Sequence, residues 1–224
     1  MKNKSTDSIL FLGKKNDEYC DRALAFVEAN FENVTTYYSA WGEPMPTEIY
    51  HWSGDYVLSY LCRWVVPAAV IKMAQSSAIN FHPASPAYPG IGCNNYALYD
   101  NASEYGVTCH HMAAKVDTGK IIAVRRFPVF PSDDVSSLLR RSYEFQLVLF
   151  YEIVSKILTH QPLPESTEHW TGRCHSRKEF NTLGIIRPEM SDDEVARRVR
   201  AVSYRMFQPT VDLGGFRFEL KVDQ

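Results

Sequence analysis

A short apolar segment that ends in polar side chains, and then in a stiff loop, constrains the fold of this chain most. Residues 77–82 (SAINFH) predict a buried strand that delivers Asn80 and His82 to its carboxyl end. The next eight residues contain four that break regular structure: Pro83, Pro86, Pro89 and Gly90. Open α/β sheets build their sites at strand ends that break into a loop in this way. The segment therefore predicts an α/β sheet with a site at this edge.

The pattern on the amino-terminal side of this segment alternates between strands and helices. Strands are predicted at residues 8–13, 33–38 and 55–61, with helices at 17–30 and 68–74. Strands that are separated by helices pair in parallel, because each crossover returns the chain to the same end of the sheet. We therefore expect a mostly parallel sheet flanked by helices.

The carboxyl-terminal half divides at residue 164. Strands at 106–112 and 120–129 flank a turn that carries Asp117, and a long helix follows at 132–160. Beyond it, residues 165–178 predict an extended polar segment. Ser191 and Glu194 then predict a capping box that opens a last helix, and residues 211–220 predict a β-hairpin. We expect a catalytic domain at 1–164 and a short extension of helix plus hairpin at 165–224.

Composition narrows the class of partner and the compartment. The 224 residues carry a formal net charge of -2, which gives no overall attraction to nucleic acid. The five cysteines are widely spaced and odd in number, which favours reduced thiols in the cytoplasm. No apolar run approaches the roughly 20 residues that span a bilayer, and the apolar segment near the amino terminus is too short for a signal peptide. A cytoplasmic protein without membrane or nucleic-acid partners is predicted.

The candidate chemistry lies on Asn80, His82 and Asp117. Asn80 and His82 are two residues apart on a strand, so their side chains leave the same face. An amide can donate to a developing oxyanion, an imidazole can exchange a proton near neutral pH, and a carboxylate can orient the imidazole. These groups suit acyl-type transfer to an amine, with the nucleophile supplied by the substrate, because the chain has no Gly-x-Ser-x-Gly. The alternative from spacing alone is a capped strand end and an ordinary turn.

A second pair of histidines, His110 and His111, raises the question of a metal site. Adjacent residues of a strand point to opposite faces, and no third ligand stands at a metal-binding spacing. We predict no metal site. One of the two histidines is expected to line the cleft and the other to pack away from it.

At these residues the sequence resembles the formyltransferase family that uses 10-formyltetrahydrofolate. The family pattern is an Asn-x-His-Pro strand end, a Pro/Tyr/Gly loop, a Gly-Val-Thr strand and an Asp-x-Gly turn. Here it reads Asn80-Phe-His82-Pro83, then residues 85–90, 106–108 and 116–119. The order and spacing match over residues 77–130, although the loop after His-Pro is one residue shorter than usual.

The resemblance implies a Rossmann-like formyltransferase fold in which Asn80, His82 and Asp117 are the catalytic trio. It also implies 10-formyltetrahydrofolate as co-substrate, bound beside the loop after the third strand and against the segment before Asp117. The residues that this places on the folate are Leu61, Cys62, Arg63, Trp64, Val65 and Val116.

Three acceptor amines are known in such families. Glycinamide ribonucleotide formyltransferases carry a glycine-rich phosphate loop after the first strand, whereas this chain has a single glycine there, Gly13. Methionyl-tRNA formyltransferases add a basic β-barrel domain of ~100 residues, which this length and charge disfavour. Enzymes that formylate a nucleotide-linked deoxyamino sugar resemble the chain best. A hydrolase that releases formate from the folate stays open as a further alternative.

The sugar-nucleotide hypothesis names candidate substrate contacts. Aromatic faces suit a base and cations suit a pyrophosphate, and the candidates are Tyr88, Trp170, Arg177 and Lys178. Trp170 has the alternative role of pinning the tail to the core. The hairpin aromatics Phe216 and Phe218 could form a homodimer interface or pack against the core.

Overall fold

The carboxyl ends of four parallel strands form one edge of a six-stranded sheet. The computed structural model describes residues 4–205 and 207–221. In it the strand order is β2-β1-β3-β4-β5-β6. The pairings from β2 through β4 are parallel, and β4–β5 and β5–β6 are antiparallel. The strands are β1 (Ser5–Lys14), β2 (Phe31–Ser39), β3 (Gly54–Tyr60), β4 (Ala74–His82), β5 (Glu104–His111) and β6 (Ile121–Pro128). The predicted α/β fold with a mostly parallel sheet is confirmed.

Helices cover both faces of this sheet. They are α1 (Glu18–Asn30), α2 (Ala68–Ile71), α3 (Cys93–Tyr99), α4 (Val135–Leu158), α5 (Arg177–Leu183) and α6 (Asp192–Val202), with a 3₁₀ turn at Thr47–His51. The central strand β1 shows why both faces are needed. Its residues Ile9 and Phe11 belong to the apolar cluster under α1 and α4, and Leu10 and Leu12 belong to the cluster under α2. A strand that is apolar on both sides must be covered on both sides.

Local capping fixes where the main helices begin. The Asp17 carboxylate accepts from the Cys20 backbone N–H at 3.1 Å and opens α1. Asp134 and Ser137 bond to each other's backbone N–H at the start of α4. Such a reciprocal pair satisfies donors that the first turn of a helix otherwise leaves free. Because the capping residues set the first turns, α1 and α4 lie where the sequence predicts them.

The carboxyl-terminal extension departs from the prediction in three respects. The last two residues of the segment predicted as extended, 165–178, instead begin helix α5, which a capping box of Ser176 and Glu179 opens. Ser191 caps α6, but the Glu194 carboxylate bonds Tyr99 and two arginines of its own helix instead of returning to Ser191. The predicted hairpin, β8 (Thr210–Leu213) and β9 (Phe216–Glu219), is present but joins β7 (Ile185–Ile186) in a three-stranded sheet.

Two further differences concern short helices. Helix α3, in the segment between β4 and β5, was not predicted. Helix α2 is shorter than the predicted 68–74 because β4 already begins at Ala74. Phe216 and Phe218 are 72% and 54% exposed, so they do not pack against the core. Among the described residues, no helix is long and apolar enough to cross a membrane.

Candidate active site

A cavity of about 550 Å³ lies at the carboxyl ends of β3 and β4. Its floor includes Asn80 and His82 from β4, and Asp117 closes one side from the turn before β6. The structure therefore brings together the three residues that the sequence predicts as a trio. They come from positions up to 37 residues apart in the chain.

His82 lies between two protein oxygens. Its Nε2 is 3.1 Å from the Tyr88 carbonyl oxygen, and because a carbonyl only accepts, Nε2 carries the proton of that hydrogen bond. Its Nδ1 is 3.5 Å from Oδ2 of Asp117, an ion-pair distance rather than a short hydrogen bond. When His82 is protonated, its positive charge therefore lies against the Asp117 carboxylate. In this geometry both ring nitrogens of His82 face protein oxygens.

Asp117 is held as a buried anion. Its side chain is almost inaccessible, its backbone has a φ of +50°, and the Gly90 N–H donates to Oδ2 at 2.9 Å. Burial acts to raise the pKa of Asp117. The neighbouring His82 and His110 and the Gly90 N–H outweigh burial and lower the pKa to about 2. The carboxylate is therefore ionised at neutral pH and faces both histidines.

His110 is a member of the site that the sequence only half revealed. Its Nδ1 donates to the His111 carbonyl oxygen at 2.8 Å, which leaves Nε2 to accept from Asn80 Nδ2 at 3.0 Å. The same Nε2 is 3.5 Å from Oδ1 of Asp117. His111 turns to the other face of β5 and meets the Ser77 hydroxyl at 2.9 Å. The prediction that one histidine lines the cleft and the other packs away is confirmed.

The predicted folate-binding residues all line this cavity: Leu61, Cys62, Arg63, Trp64, Val65 and Val116. The loop after β3 is anchored at two points. The Ser39 hydroxyl accepts from the Arg63 backbone N–H at 2.7 Å, and Trp64 Nε1 donates to the Glu43 carbonyl at 2.9 Å. These contacts hold a largely apolar wall beside Asn80.

Of the four predicted substrate contacts, Arg177 lines the cavity and Tyr88, Trp170 and Lys178 do not. The Tyr88 ring packs on Tyr105, and only its carbonyl oxygen reaches His82. Lys178 lies on the exposed face of α5. The substrate contacts predicted for these two side chains therefore stay predictions that the cavity lining does not support.

Trp170 takes the alternative role that the sequence left open. Its Nε1 donates to the Gly119 carbonyl at 2.8 Å. Its ring meets the rings of His82 and His110 edge-on, with centroids 5.8 and 5.0 Å away. The indole therefore ties the tail to the two histidines of the site.

Other lining residues were not predicted, and many belong to α3 and the extension: Cys93, Asn94, Asn95, Cys174, His175, Phe180, Tyr204 and Phe207. The sequence pattern that could have predicted these residues is weak, because α3 has only seven residues and begins after Gly92, whose φ is +72°. Trp41 also lines the mouth, with the guanidinium carbons of Arg63 and Arg177 at 4.8 and 5.0 Å from its ring centroid. The extension thus forms one wall of the cavity.

The charge of the lining favours anionic ligands. Among the described residues around the cavity, Asp117 is the one carboxylate, whereas Arg63, Lys115 and Arg177 contribute cations. A cleft lined by one sign of charge concentrates ligands of the other sign. Within residues 4–205 and 207–221, the structure shows no group of three or more histidine, cysteine, aspartate or glutamate side chains that could hold a metal ion.

Fold and geometry bring an amide, an imidazole and a buried carboxylate together at the carboxyl edge of a parallel sheet, a set of groups that suits group transfer. The family model described as Formyl transferase matches residues 22–154, more than half of the chain. The chain belongs to the formyl transferase family, an enzyme family that uses a formyl folate. The resemblance found in the sequence is confirmed.

The curated relatives differ in their acceptors. The chain is 28% identical over 158 residues to a GDP-perosamine N-formyltransferase of Brucella melitensis, covering 70% of this chain and 60% of the relative. It is 26% identical over 162 residues to a methionyl-tRNA formyltransferase of Enterococcus faecalis, covering 71% and 52%. The chain therefore spans little more than half the length of these two relatives.

Solved structures match over nearly the whole chain. A 4-N formyltransferase from Francisella tularensis superposes with a TM-score of 0.80 at 14% identity, covering 96% of this chain and 97% of that one. An N-formyltransferase from Helicobacter canadensis, solved with folinic acid and dTDP-3-aminofucose, has a TM-score of 0.71 at 18% identity, covering 94% and 85%. At these identities the likeness establishes the fold.

Proposed function

We propose that this enzyme transfers a formyl group from 10-formyltetrahydrofolate to the amino group of a nucleotide-linked deoxyamino sugar. The observation that carries the proposal is the convergence of Asn80, His82 and Asp117 in one cavity, with Asp117 held ionised beside His82. Residues 1–164 are the catalytic domain in this proposal, and residues 165–224 complete the acceptor wall.

Asn80, His82 and Asp117 have separate roles in the proposed reaction. The folate supplies the formyl group, the acceptor amine forms the new C–N bond, and the bond from the formyl carbon to the folate nitrogen breaks. The Asn80 amide donates to the formyl oxygen as it gains negative charge. Protonated His82 stabilises that charge at short range, and Asp117 stabilises the imidazolium. The amine loses one proton as it forms the new bond, and the folate nitrogen gains one proton as it leaves, so the reaction has no net uptake or release of protons.

The loop after β3 suits the folate. Leu61, Trp64 and Val65 provide an apolar wall, and Val116 lines the cavity from the segment before Asp117. A flat heterocycle that enters between these segments would reach the trio with its formyl group. Arg63 lies at the same wall and can meet a carboxylate of the folate tail.

The acceptor assignment rests on charge and on the extension. The cations around the cavity suit a diphosphate, and α5 and α6 with their flanking segments supply residues that the part shared with the family model lacks. The sugar N-formyltransferases among the relatives and solved structures point the same way. Methionyl-tRNA, glycinamide ribonucleotide and water are the competing acceptors.

The test uses His82→Ala and Asp117→Asn with GDP-perosamine and dTDP-3-aminofucose as acceptors. Each variant should lose most formyl transfer while 5-formyltetrahydrofolate still raises its melting temperature by mass action. His111→Ala, next to His110 but on the other face of β5, is the matched control and should keep its activity. Unchanged turnover in His82→Ala would overturn the mechanism. Formate release without an acceptor would identify a hydrolase instead.

We also propose that the enzyme is a homodimer through its hairpin. Leu213, Phe216 and Phe218 are each more than half exposed. They lie on β8 and on β9, the edge strand of the small sheet. A second copy offers the same apolar hairpin, so one symmetric contact would cover both. Light scattering should give twice the chain mass, and Phe216→Ser with Phe218→Ser should give the monomer. A monomeric wild type would contradict the proposal.

A further inference from the structure

The loop after β4, residues 83–92, is held by two different parts of the chain. Near its start, the carbonyl oxygens of Pro83 and Ala84 accept hydrogen bonds from β5. The donors are the hydroxyls of Tyr105 and Thr108, at 3.3 and 2.7 Å. The second half of the loop has contacts with the carboxyl-terminal extension instead.

We call residues 170–175 of the extension the tail segment, and it runs beside the second half of this loop. The Pro86 carbonyl oxygen accepts from two consecutive N–H groups of the tail segment, at 3.1 and 3.3 Å. Further along, the Ile91 N–H donates to the His175 carbonyl oxygen at 3.4 Å, and Gly90 forms a parallel β-bridge with His175. Loop and tail segment are therefore paired backbone to backbone.

This pairing bears on Asp117 from two sides. The paired part of the loop carries the Gly90 N–H that donates to Asp117 at 2.9 Å. The tail segment also reaches the turn that carries Asp117, because Trp170 Nε1 donates to the Gly119 carbonyl oxygen. The tail segment lies outside residues 22–154, which match the family model, and yet it contacts both structures that hold this carboxylate.

Gly172 lets the tail segment approach the loop closely. A Cβ at this position would overlap the carbonyl group of Ala87 and lie 2.9 Å from Pro89 Cδ. Because the obstacle is backbone rather than the end of a flexible side chain, glycine is the residue that permits this approach. Gly172 is not among the described residues that line the cavity, so its effect on the reaction must pass through the loop.

We propose that Gly172 is a positioning residue for formyl transfer, because the tail segment that it brings against the loop keeps the Gly90 N–H on Asp117. This inference rests on the function proposed above and deepens it. A donor that is fixed before the substrates bind holds the carboxylate in one orientation, toward His82 and His110. The extension then serves the catalytic step as well as the acceptor wall.

Core contacts do not replace the tail segment at Gly90. The Tyr88 ring packs on Tyr105 with centroids 5.7 Å apart, which fixes the middle of the loop and the carbonyl group that meets His82. Gly90 lies beyond this anchor, where the loop pairs with the tail segment. Displacement of the tail segment should therefore disturb Asp117 more than His82.

Native-state hydrogen exchange of the unmodified protein is the first test. If the tail segment holds the loop, the amides of Gly90 and Thr171 become exposed in the same local opening. Their protection factors should then agree within about tenfold. A larger difference in either direction would show that loop and tail segment open separately, and it would overturn the proposal. This test needs no variant, so it does not depend on how well a substituted chain folds.

The second test compares Gly172→Ala with Gly184→Ala, the same substitution at another glycine of the extension. The added methyl group of Gly184→Ala would lie 3.2 Å from a Val202 methyl group, away from the loop. In Gly172→Ala, protection of the Gly90 amide should fall by about tenfold or more. Its kcat should also fall by about tenfold or more, since small misplacements of reacting groups are costly. Gly184→Ala should keep both values.

The split between kcat and KM separates positioning from binding. In Gly172→Ala the acceptor KM and the Kd of 5-formyltetrahydrofolate should stay within about threefold of the wild-type values. An unchanged kcat, a loss confined to the acceptor KM, or an equal loss of kcat in Gly184→Ala would overturn the proposal. If the wild type formylates no nucleotide-linked amino sugar, the proposed function fails, whereas the exchange data still decide whether the tail segment holds Gly90 on Asp117.

Discussion

Gln146, in the middle of α4, donates from Nε2 to the carbonyl oxygen of Phe81 at 2.5 Å. Phe81 stands between Asn80 and His82 on β4, so this bond holds the peptide that positions both side chains. Gln146 and Phe81 are both fully buried, out of reach of water. The long helix therefore does more than cover the sheet, since it fixes the strand end on which the trio depends.

Replacement of Gln146 by leucine tests this positioning role. Gln146→Leu should destabilise the protein by about 1–2 kcal/mol, because the Phe81 carbonyl loses its donor while an unpaired Gln146 oxygen is also removed. It should lower kcat by about tenfold with little change in KM, since small misplacements of reacting groups are costly. Ser142→Ala is the control: its hydroxyl is buried in the same helix but bonds only the Leu138 carbonyl. Equal kcat values in the two variants would contradict the role.

The trio and the succession of strands and helices along the core can be predicted from the sequence because local patterns encode them. A strand end with Asn80 and His82, a proline-rich loop and the Asp117 turn occur at recognisable spacing. The sequence cannot supply the role of His110 in the same way. That role depends on the antiparallel register that sets Asn80 opposite His110, which is a tertiary fact.

The acceptor wall is less predictable for a physical reason. Helix α3 has too few residues to be stable by itself, and its order comes from Asn95 bonding Ala201 and Tyr99 bonding Glu194, both far along the chain. In contrast, α5 could have been predicted, since Ser176 and Glu179 stand at capping-box spacing. The polar, charged composition of that segment concealed the signal.

Arg177 and Lys178 are adjacent cations. The sequence predicts the same substrate-binding role for both, but the structure gives them different positions. Arg177 lines the cavity mouth beside Trp41, whereas Lys178 lies outside it. Arg177→Gln should weaken binding of an anionic ligand, measured by calorimetry with 5-formyltetrahydrofolate and with GDP or dTDP, by about three- to tenfold and more at low salt. Lys178→Gln should leave affinity unchanged. Equal losses in the two variants would point to a general effect of net charge.

Trp170 offers a test of the link between the tail and the trio. Trp170→Phe keeps an aromatic ring against the two histidines but removes the hydrogen bond to Gly119. It should lower the free energy of unfolding by about 1 kcal/mol and reduce kcat, with KM for the acceptor near the wild-type value. Urea denaturation and steady-state kinetics measure both effects. A rise in the acceptor KM without loss of stability would instead restore the predicted substrate contact.

Asp133 and Arg141 predict a pH dependence of stability that is separate from catalysis. The buried Asp133 carboxylate accepts hydrogen bonds from the two terminal guanidinium nitrogens of Arg141, at 2.8 and 2.9 Å. It also accepts one from the Phe130 N–H at 2.7 Å. Burial acts to raise the pKa of Asp133, but the hydrogen bonds from Arg141, Phe130 and Ser137 outweigh it and lower the pKa to about 2. A carboxyl group whose pKa is lowered by folding stabilises the folded state fully when the pH is above about 4, its pKa in the unfolded chain. This stabilisation is lost as the pH falls toward 2, its pKa in the folded state.

Asp133→Asn should therefore cost about 2 kcal/mol at neutral pH and progressively less as the pH falls below about 4. Urea denaturation of both proteins between pH 7 and pH 3 measures the difference directly. Asp117, whose pKa is also lowered, is present in both proteins, so its contribution cancels. In an Arg141→Gln background the difference should become smaller and depend less on pH, because the main hydrogen-bond donor is gone. A cost that is the same at pH 7 and pH 3 would show that Asp133 acts as a neutral hydrogen-bond acceptor and not as a stabilised anion.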